Sequence, residues 1–336
     1  RPDTAARAPV RTGLRTKLAI RMNAKASAIP ETRAAAHDAA AELAAQVSSR
    51  TVIRSDEPLA KRTTLRVGGP ADIFVEPVSE EDLSQVARFC KEHNLPLLVL
   101  GRGSNLLVRD GGIRGVVVCL SHLFFCRVEV KGRQLHCGAG AKLKAAAMEA
   151  KRQGVAGLEF LEGIPGSVGG ALRMNAGAMG GAIFDVVRSV RLMDLGGQVV
   201  ERKISELEIK YRGCPTLKTH IALGARLEGQ PGSRQEIEQR MNQFSQKRWQ
   251  SQPAAPSAGC IFKNPPTVPA GKLIDELGLK GTRVGGALVS AEHGNFIIND
   301  GTATARDVLE LIELIRERAR AARGIELETE VEIIGE

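Results

Sequence analysis

From residue 51 onward, short β-branched apolar runs alternate with stretches in which apolar residues recur every three to four positions. The first pattern predicts strands and the second amphipathic helices. Ser79, with Asp82 three residues later, predicts a capped helix running to about His93, with Leu83, Val86, Phe89 and Cys90 on one face. Strands are predicted on either side of it at "DIFVEP" and "LPLLVLG", and then at "GVVVCL". A hairpin follows around Lys131-Gly132, then a helix near 141–153 stopped by Gly154, then strands at "VVRSVRLMD" and "HIALGARLEG". Ser233 is expected to cap a long helix with the stripe Ile237, Met241, Phe244 and Arg248. Thr304 and Asp307 cap another, carrying Val308, Leu311, Ile312, Ile315 and Ala319 and ending at Gly324. A last strand is predicted at "TEVEII". Interleaved strands and helices without an internal repeat indicate an α+β or α/β protein.

At 336 residues the chain exceeds what one hydrophobic core usually supports, so two or three subdomains are expected. The net charge of +9 is uneven. Residues 1–50 hold nine Lys/Arg against four Asp/Glu, leaving thirty-eight against thirty-four, or +4, for the other 286. The basic, acid-poor first 30 residues fit a disordered or helical extension outside the catalytic fold, or an organellar transit segment. The Ala-rich stretch 32–47 predicts a helix. Aromatics are 3%, too few for a base-stacking surface, and no apolar run reaches the ~20 residues of a membrane span. Six cysteines without a CxxC pair read as reduced thiols of a cytoplasmic protein, with no disulfide and no metal site expected.

Candidate chemistry lies in glycine loops at strand ends. "GRGSNLLVRDGG" (101–112) follows an apolar strand and can present consecutive N–H groups to a diphosphate, although it is neither a Walker loop nor a GxGxxG fingerprint. "GLEFLEGIPGSVGGALRMNAGAMGG" (157–181) is too glycine-dense for a regular helix or strand and too apolar for a linker. Backbone lying against a flat, extended cofactor explains it. Gly68-Gly69 adds a third close approach.

These segments, with "TTLRVGGPA", "YRG", "PSAGCIFKNPP", "AGKLIDELGLKG", "VGGALVSAEHGNFIIN" and "LETEVEIIG", resemble the ordered motif series of the UDP-N-acetylenolpyruvoylglucosamine reductase family over residues 51–335. The short connection after "VVRSVRLMD" is similar to that of the family's shorter second type. The resemblance implies a two-lobed vanillyl-alcohol-oxidase-type FAD domain (51–228, lobes about 51–115 and 116–228). It further implies an α+β substrate domain (229–325) and a final strand (326–336) returning to the FAD domain, with 1–50 as an extension. It implies non-covalent FAD, NADPH as hydride donor, and reduction of the enolpyruvyl ether of a UDP-sugar in peptidoglycan precursor synthesis. The partners implied are small molecules, with no nucleic acid and no membrane insertion.

Carried over residue by residue, the resemblance implies FAD contacts at Gly68, Gly69, Gly101, Arg102, Gly103, Ser104, Asn105, Gly163, Ile164, Pro165, Gly166, Ser167, Gly169, Gly170, Asn175 and Gly177. Arg212 matches the enolate-stabilising arginine and Glu330 the catalytic glutamate. Cys260 stands where the family usually places a proton-donating serine. A thiol is the stronger acid and can do the same work, at the cost of exposure to oxidation and alkylation. Arg248, Lys263, Asn264 and Lys280 match contacts to the substrate diphosphate. His293 reads as structural. Two other readings stay open on the residues alone. One is a sugar or hydroxy-acid oxidoreductase of the same FAD fold, although its usual tethering His is missing from both loops. The other is a nucleic-acid-binding protein using residues 1–30.

Overall fold

The computed structural model describes residues 33–336. Val52–Pro58, Pro70–Glu76, Ile113–Cys119 and Leu97–Leu100 form one sheet in that spatial order, the first pair antiparallel and the others parallel. A parallel pair needs a crossover, and the helix Glu80–Glu92 supplies it. Ser79 Oγ accepts the Asp82 N–H at 3.1 Å, and the predicted stripe Leu83, Val86, Phe89 and Cys90 is buried. The second lobe is a five-stranded antiparallel sheet. Its order is Val199–Lys203, Val187–Met193, Ile221–Glu228, Gln134–Gly138 and Val128–Lys131. Gly132 turns its outer hairpin at φ +61°.

The third unit is a four-stranded antiparallel sheet of Ser257–Cys260, Phe296–Asn299, Ala287–Val289 and Arg283–Val284. The helix Ala305–Arg323 packs on it with all five predicted apolar positions buried. Thr304 and Asp307 cap each other's backbone, and Gly324 ends the helix at φ +65°. The units are tied together. Glu332–Ile334 pairs in parallel with Leu106–Val108, Asn299 Nδ2 donates to Leu65 O at 3.0 Å, and Asp110 accepts the N–H groups of Ala305 and Arg306.

Several expectations change. The helix Arg33–Ala44 is not outside the fold: Ala40 and Leu43 belong to the core beneath the first sheet, because small side chains let it lie close. Residues 1–32, with the expected basic extension, lie outside the described residues. The helix Arg234–Ser251 buries Ile237 and Met241 in the core of the FAD lobes, so the third unit's own core starts at Ala258, later than the expected boundary at 229. Ser233 stands at its N-cap without a side-chain hydrogen bond. Part of the glycine-dense segment is helical, at Val168–Met174, since Ser167 caps it and the bare Gly169 fits against Ala139. The last strand is shorter than "TEVEII", because Glu330 and Val331 bond across to Ile261 instead. Among the described residues no helix is long and apolar enough to cross a membrane.

Candidate active site

The glycines of the three loops fall into two classes. A Cβ at Gly68 would lie 2.6 Å from Val108 Cβ, one at Gly69 2.1 Å from Asp110 O, and one at Gly103 2.5 Å from Arg62 O. These positions are glycine because the protein packs on itself there. Gly177 likewise faces Gly181 O at 2.7 Å, and Gly169 faces Ala139 Cβ at 3.1 Å. By contrast, a Cβ at Gly163 or Gly166 would meet nothing nearer than 3.7 Å, and at Gly170 only Ser167 Oγ at 3.4 Å. Gly101 faces the same Ser167 Oγ at 2.9 Å.

Among the described residues, the N–H groups of Arg102, Gly103, Ser104, Asn105, Gly166 and Ser167 meet no protein acceptor. Ser104 Oγ donates to Pro165 O, locking the two loops side by side. Ile164 N–H closes the preceding turn on Leu161 O. The result is an open cleft floored by bare backbone and rimmed by free N–H donors, which fits a diphosphate-bearing, extended cofactor.

Beside it the structure gathers the three reactive candidates. Ile261 O accepts the Glu330 N–H at 2.8 Å, which sets Glu330 next to Cys260. Arg212 Nε lies 3.0 Å from Glu330 Oε1, an ion pair in which the Nε–H, buried and off the N···O line, is left without a hydrogen-bond acceptor. Arg212 holds φ +54° in a tight turn closed by Lys210 and Gly213. Asn175, itself at φ +41°, anchors that turn by donating from Nδ2 to Lys210 O, while its buried Oδ1 stays free. Asn105 joins cradle to reactive group, since its Nδ2 donates to Glu330 O at 3.2 Å and its O accepts the Glu332 N–H.

Burial pushes the Glu330 carboxyl above its ordinary value of 4.5, against the pull of Arg212 and Lys263. Burial, with the nearby Glu330 charge, pushes the Cys260 thiol up to about 11. It is therefore protonated at neutral pH, and the expected ready alkylation gives way to a slow one, because the thiolate is the nucleophile.

The substrate candidates are not brought to one point. Lys263 pairs with Glu328 at 3.0 Å and lies near enough to act on Glu330. Lys280 pairs with Asp275 at 2.9 Å beside His293. Asn264 Oδ1 accepts the Ala270 N–H, capping the helix Ala270–Glu276. Arg248 bonds Gln252 and feels the charge of Glu162, a residue the sequence reading passed over. Glu162 takes Lys144 at 2.8 Å and keeps Oε2 buried without a partner. Asn295 was also passed over. It stood inside "EHGNFIIN", where a buried polar residue has no periodic signature. His293 accepts the Asn295 N–H at Nδ1 and stands edge-on to Phe296, as a structural histidine would.

A model of the FAD binding domain matches residues 71–202, which contain both open glycine loops. The C-terminal domain of UDP-N-acetylenolpyruvoylglucosamine reductase matches 252–334, which contain Cys260 and Glu330. The reductase of that name from Clostridioides difficile (strain 630) is 44% identical over 292 residues, 86% of this chain and 96% of its own. The chain belongs to the UDP-N-acetylenolpyruvoylglucosamine reductase family. A second reductase, from Clostridium novyi (strain NT), is 45% identical over 276 residues, 82% of this chain and 89% of its own. The crystal structure of the reductase from Thermus caldophilus superposes with a TM-score of 0.74 at 40% identity, covering 85% of this chain and 99% of that one. Membership in the reductase family decides against the oxidase and nucleic-acid readings.

Proposed function

We propose that this reductase converts the enolpyruvyl ether of UDP-N-acetylglucosamine to UDP-N-acetylmuramate with NADPH, in the cytoplasm, where peptidoglycan precursors are built on nucleotide carriers. The observation that carries this reading is the meeting of Arg212, Glu330 and Cys260 at the mouth of a glycine cradle. Non-covalent FAD fits that cradle, held by N–H groups of 102–105 and 166–167 and by backbone close to Gly101, Gly163 and Gly170. When bound, FAD would supply the hydride-transfer chemistry that links NADPH to the enolpyruvyl methylene.

The side chains supply the rest. Negative charge develops on the substrate carbon next to its carboxylate, and the Arg212 guanidinium, paired here with Glu330, stabilises that enolate. Glu330, whose carboxyl burial pushes above its ordinary value, is placed to polarise the same oxygen atoms through a shared proton. Cys260 gives its S–H proton to carbon and keeps the electron pair as thiolate, which Arg212 stabilises. Lys263, whose charge reaches Glu330, contacts the substrate diphosphate once it leaves Glu328, while Asn264, Lys280 and Arg248, each held by another partner, are drawn to it only by the substrate itself.

The test is the purified protein itself. Acid or heat precipitation is expected to leave FAD in the supernatant, and NADPH consumption is expected to depend on the enolpyruvyl UDP-sugar. Colour retained in the pellet would refute non-covalent binding. NADPH consumption indifferent to the sugar nucleotide would refute the activity.

A further inference from the structure

Asn295, 3% exposed, immediately precedes Phe296, the sheet partner of Cys260, and makes three hydrogen bonds to the two residues that follow Cys260. Its Oδ1 accepts the Phe262 N–H at 2.9 Å, its Nδ2 donates to Phe262 O at 2.8 Å, and its backbone O accepts the Ile261 N–H at 2.9 Å. The Phe262 N–H requires an acceptor, which fixes the orientation of the carboxamide. One Nδ2–H is then committed to Phe262 O, so the carboxamide grips the Phe262 peptide from both sides, two residues beyond Cys260. The clamped segment also carries Glu330, through Ile261 O at 2.8 Å from its N–H.

We propose that Asn295 is a positioning residue for proton delivery: by gripping the Phe262 peptide it sets Cys260 Sγ and the Glu330 carboxyl relative to one another. The proton passes to the substrate carbon, the electron pair stays on sulfur, and solvent later restores the thiol. The inference rests on Cys260 being the donor. It reaches beyond that reading by assigning the geometry to a residue that touches neither substrate nor cofactor.

The experiment is a double-mutant cycle on the FAD-loaded full chain, with Asn295→Ala and Cys260→Ala alone and together. Two rates are followed anaerobically: bleaching of the flavin band by NADPH, and its return with the enolpyruvyl UDP-sugar. Asn295→Ala is expected to slow the return about 10- to 100-fold, the scale of a misplaced reacting group, and to leave bleaching within about 3-fold. In the Cys260→Ala background it is expected to add less than about 3-fold. Equal slowing of both rates, or full additivity, overturns the positioning role while leaving Cys260 as donor. A Cys260→Ala variant with an unchanged return rate overturns both. Asn295→Asp, which keeps shape and acceptor but loses the N–H pair, repeats the cycle with the same expected pattern if the alanine variant does not retain FAD.

Discussion

A thiol pushed to about 11 and a carboxyl pushed above 4.5 stand together, both raised by burial, and the proton held on the thiol is what the second half of the reaction needs. Cys260→Ser is expected to keep substantial turnover, since a hydroxyl also carries a proton. Cys260→Ala is expected to lose roughly 100- to 10,000-fold in the flavin-return step but not in bleaching by NADPH. Stopped-flow absorbance reads both. Glu330 makes a prediction of opposite sign for stability and activity. Its raised folded-state pKa contributes stability that is full below about 4.5 and is lost as pH rises through the folded value. Above its raised folded-state pKa the wild type carries a penalised ionised carboxylate that Glu330→Gln removes. The variant is expected to melt no lower than wild type at pH 8, with the difference shrinking toward pH 5, while its return step slows. Thermal melts at the two pH values check the sign. Cys260 and Glu330 were recognisable in the sequence only through their motifs. Nothing local announced Asn295 or Glu162, because burial and pairing are decided by segments far apart in the chain.

At the scale of elements, capping chemistry made the helices legible. Ser79/Asp82 and Thr304/Asp307 each predicted a start that the backbone adopts, whereas Ser233, with Glu236 three residues on, stands at the N-cap yet makes no side-chain cap. Glycine density was legible as close approach, but not what approaches: at Gly69 it is the protein, at Gly166 open cleft. The difference is testable. Gly166→Val is expected to fold with a melting temperature near that of apo wild type yet to bind FAD far more weakly, by absorbance ratio after gel filtration. Gly69→Ala, whose methyl would collide with Asp110 O, is expected to lower the melting temperature or prevent folding.

Across the whole molecule, chain ends and middles meet at one place. The last strand joins Leu106–Val108 beside the glycine loop, Asp110 caps the long helix of the third unit, and Thr64 Oγ1 donates to Ser257 O at 2.6 Å. Asp110→Ala frees two helix-terminal N–H groups and is expected to cost about 1 kcal/mol, read by urea denaturation. The three-part architecture was legible from the order of motifs. The packing of 33–44 and 234–251 was not, since a weakly amphipathic helix does not declare its partner. The two half-reactions share one flavin, reduced by NADPH and reoxidised by the enolpyruvyl UDP-sugar. Anaerobic mixing with one equivalent of NADPH is expected to bleach the flavin band, and the enolpyruvyl UDP-sugar alone is then expected to restore it, with one lactyl ether formed per flavin. A bleached flavin that the sugar nucleotide leaves unchanged, while dioxygen restores it, would contradict the account.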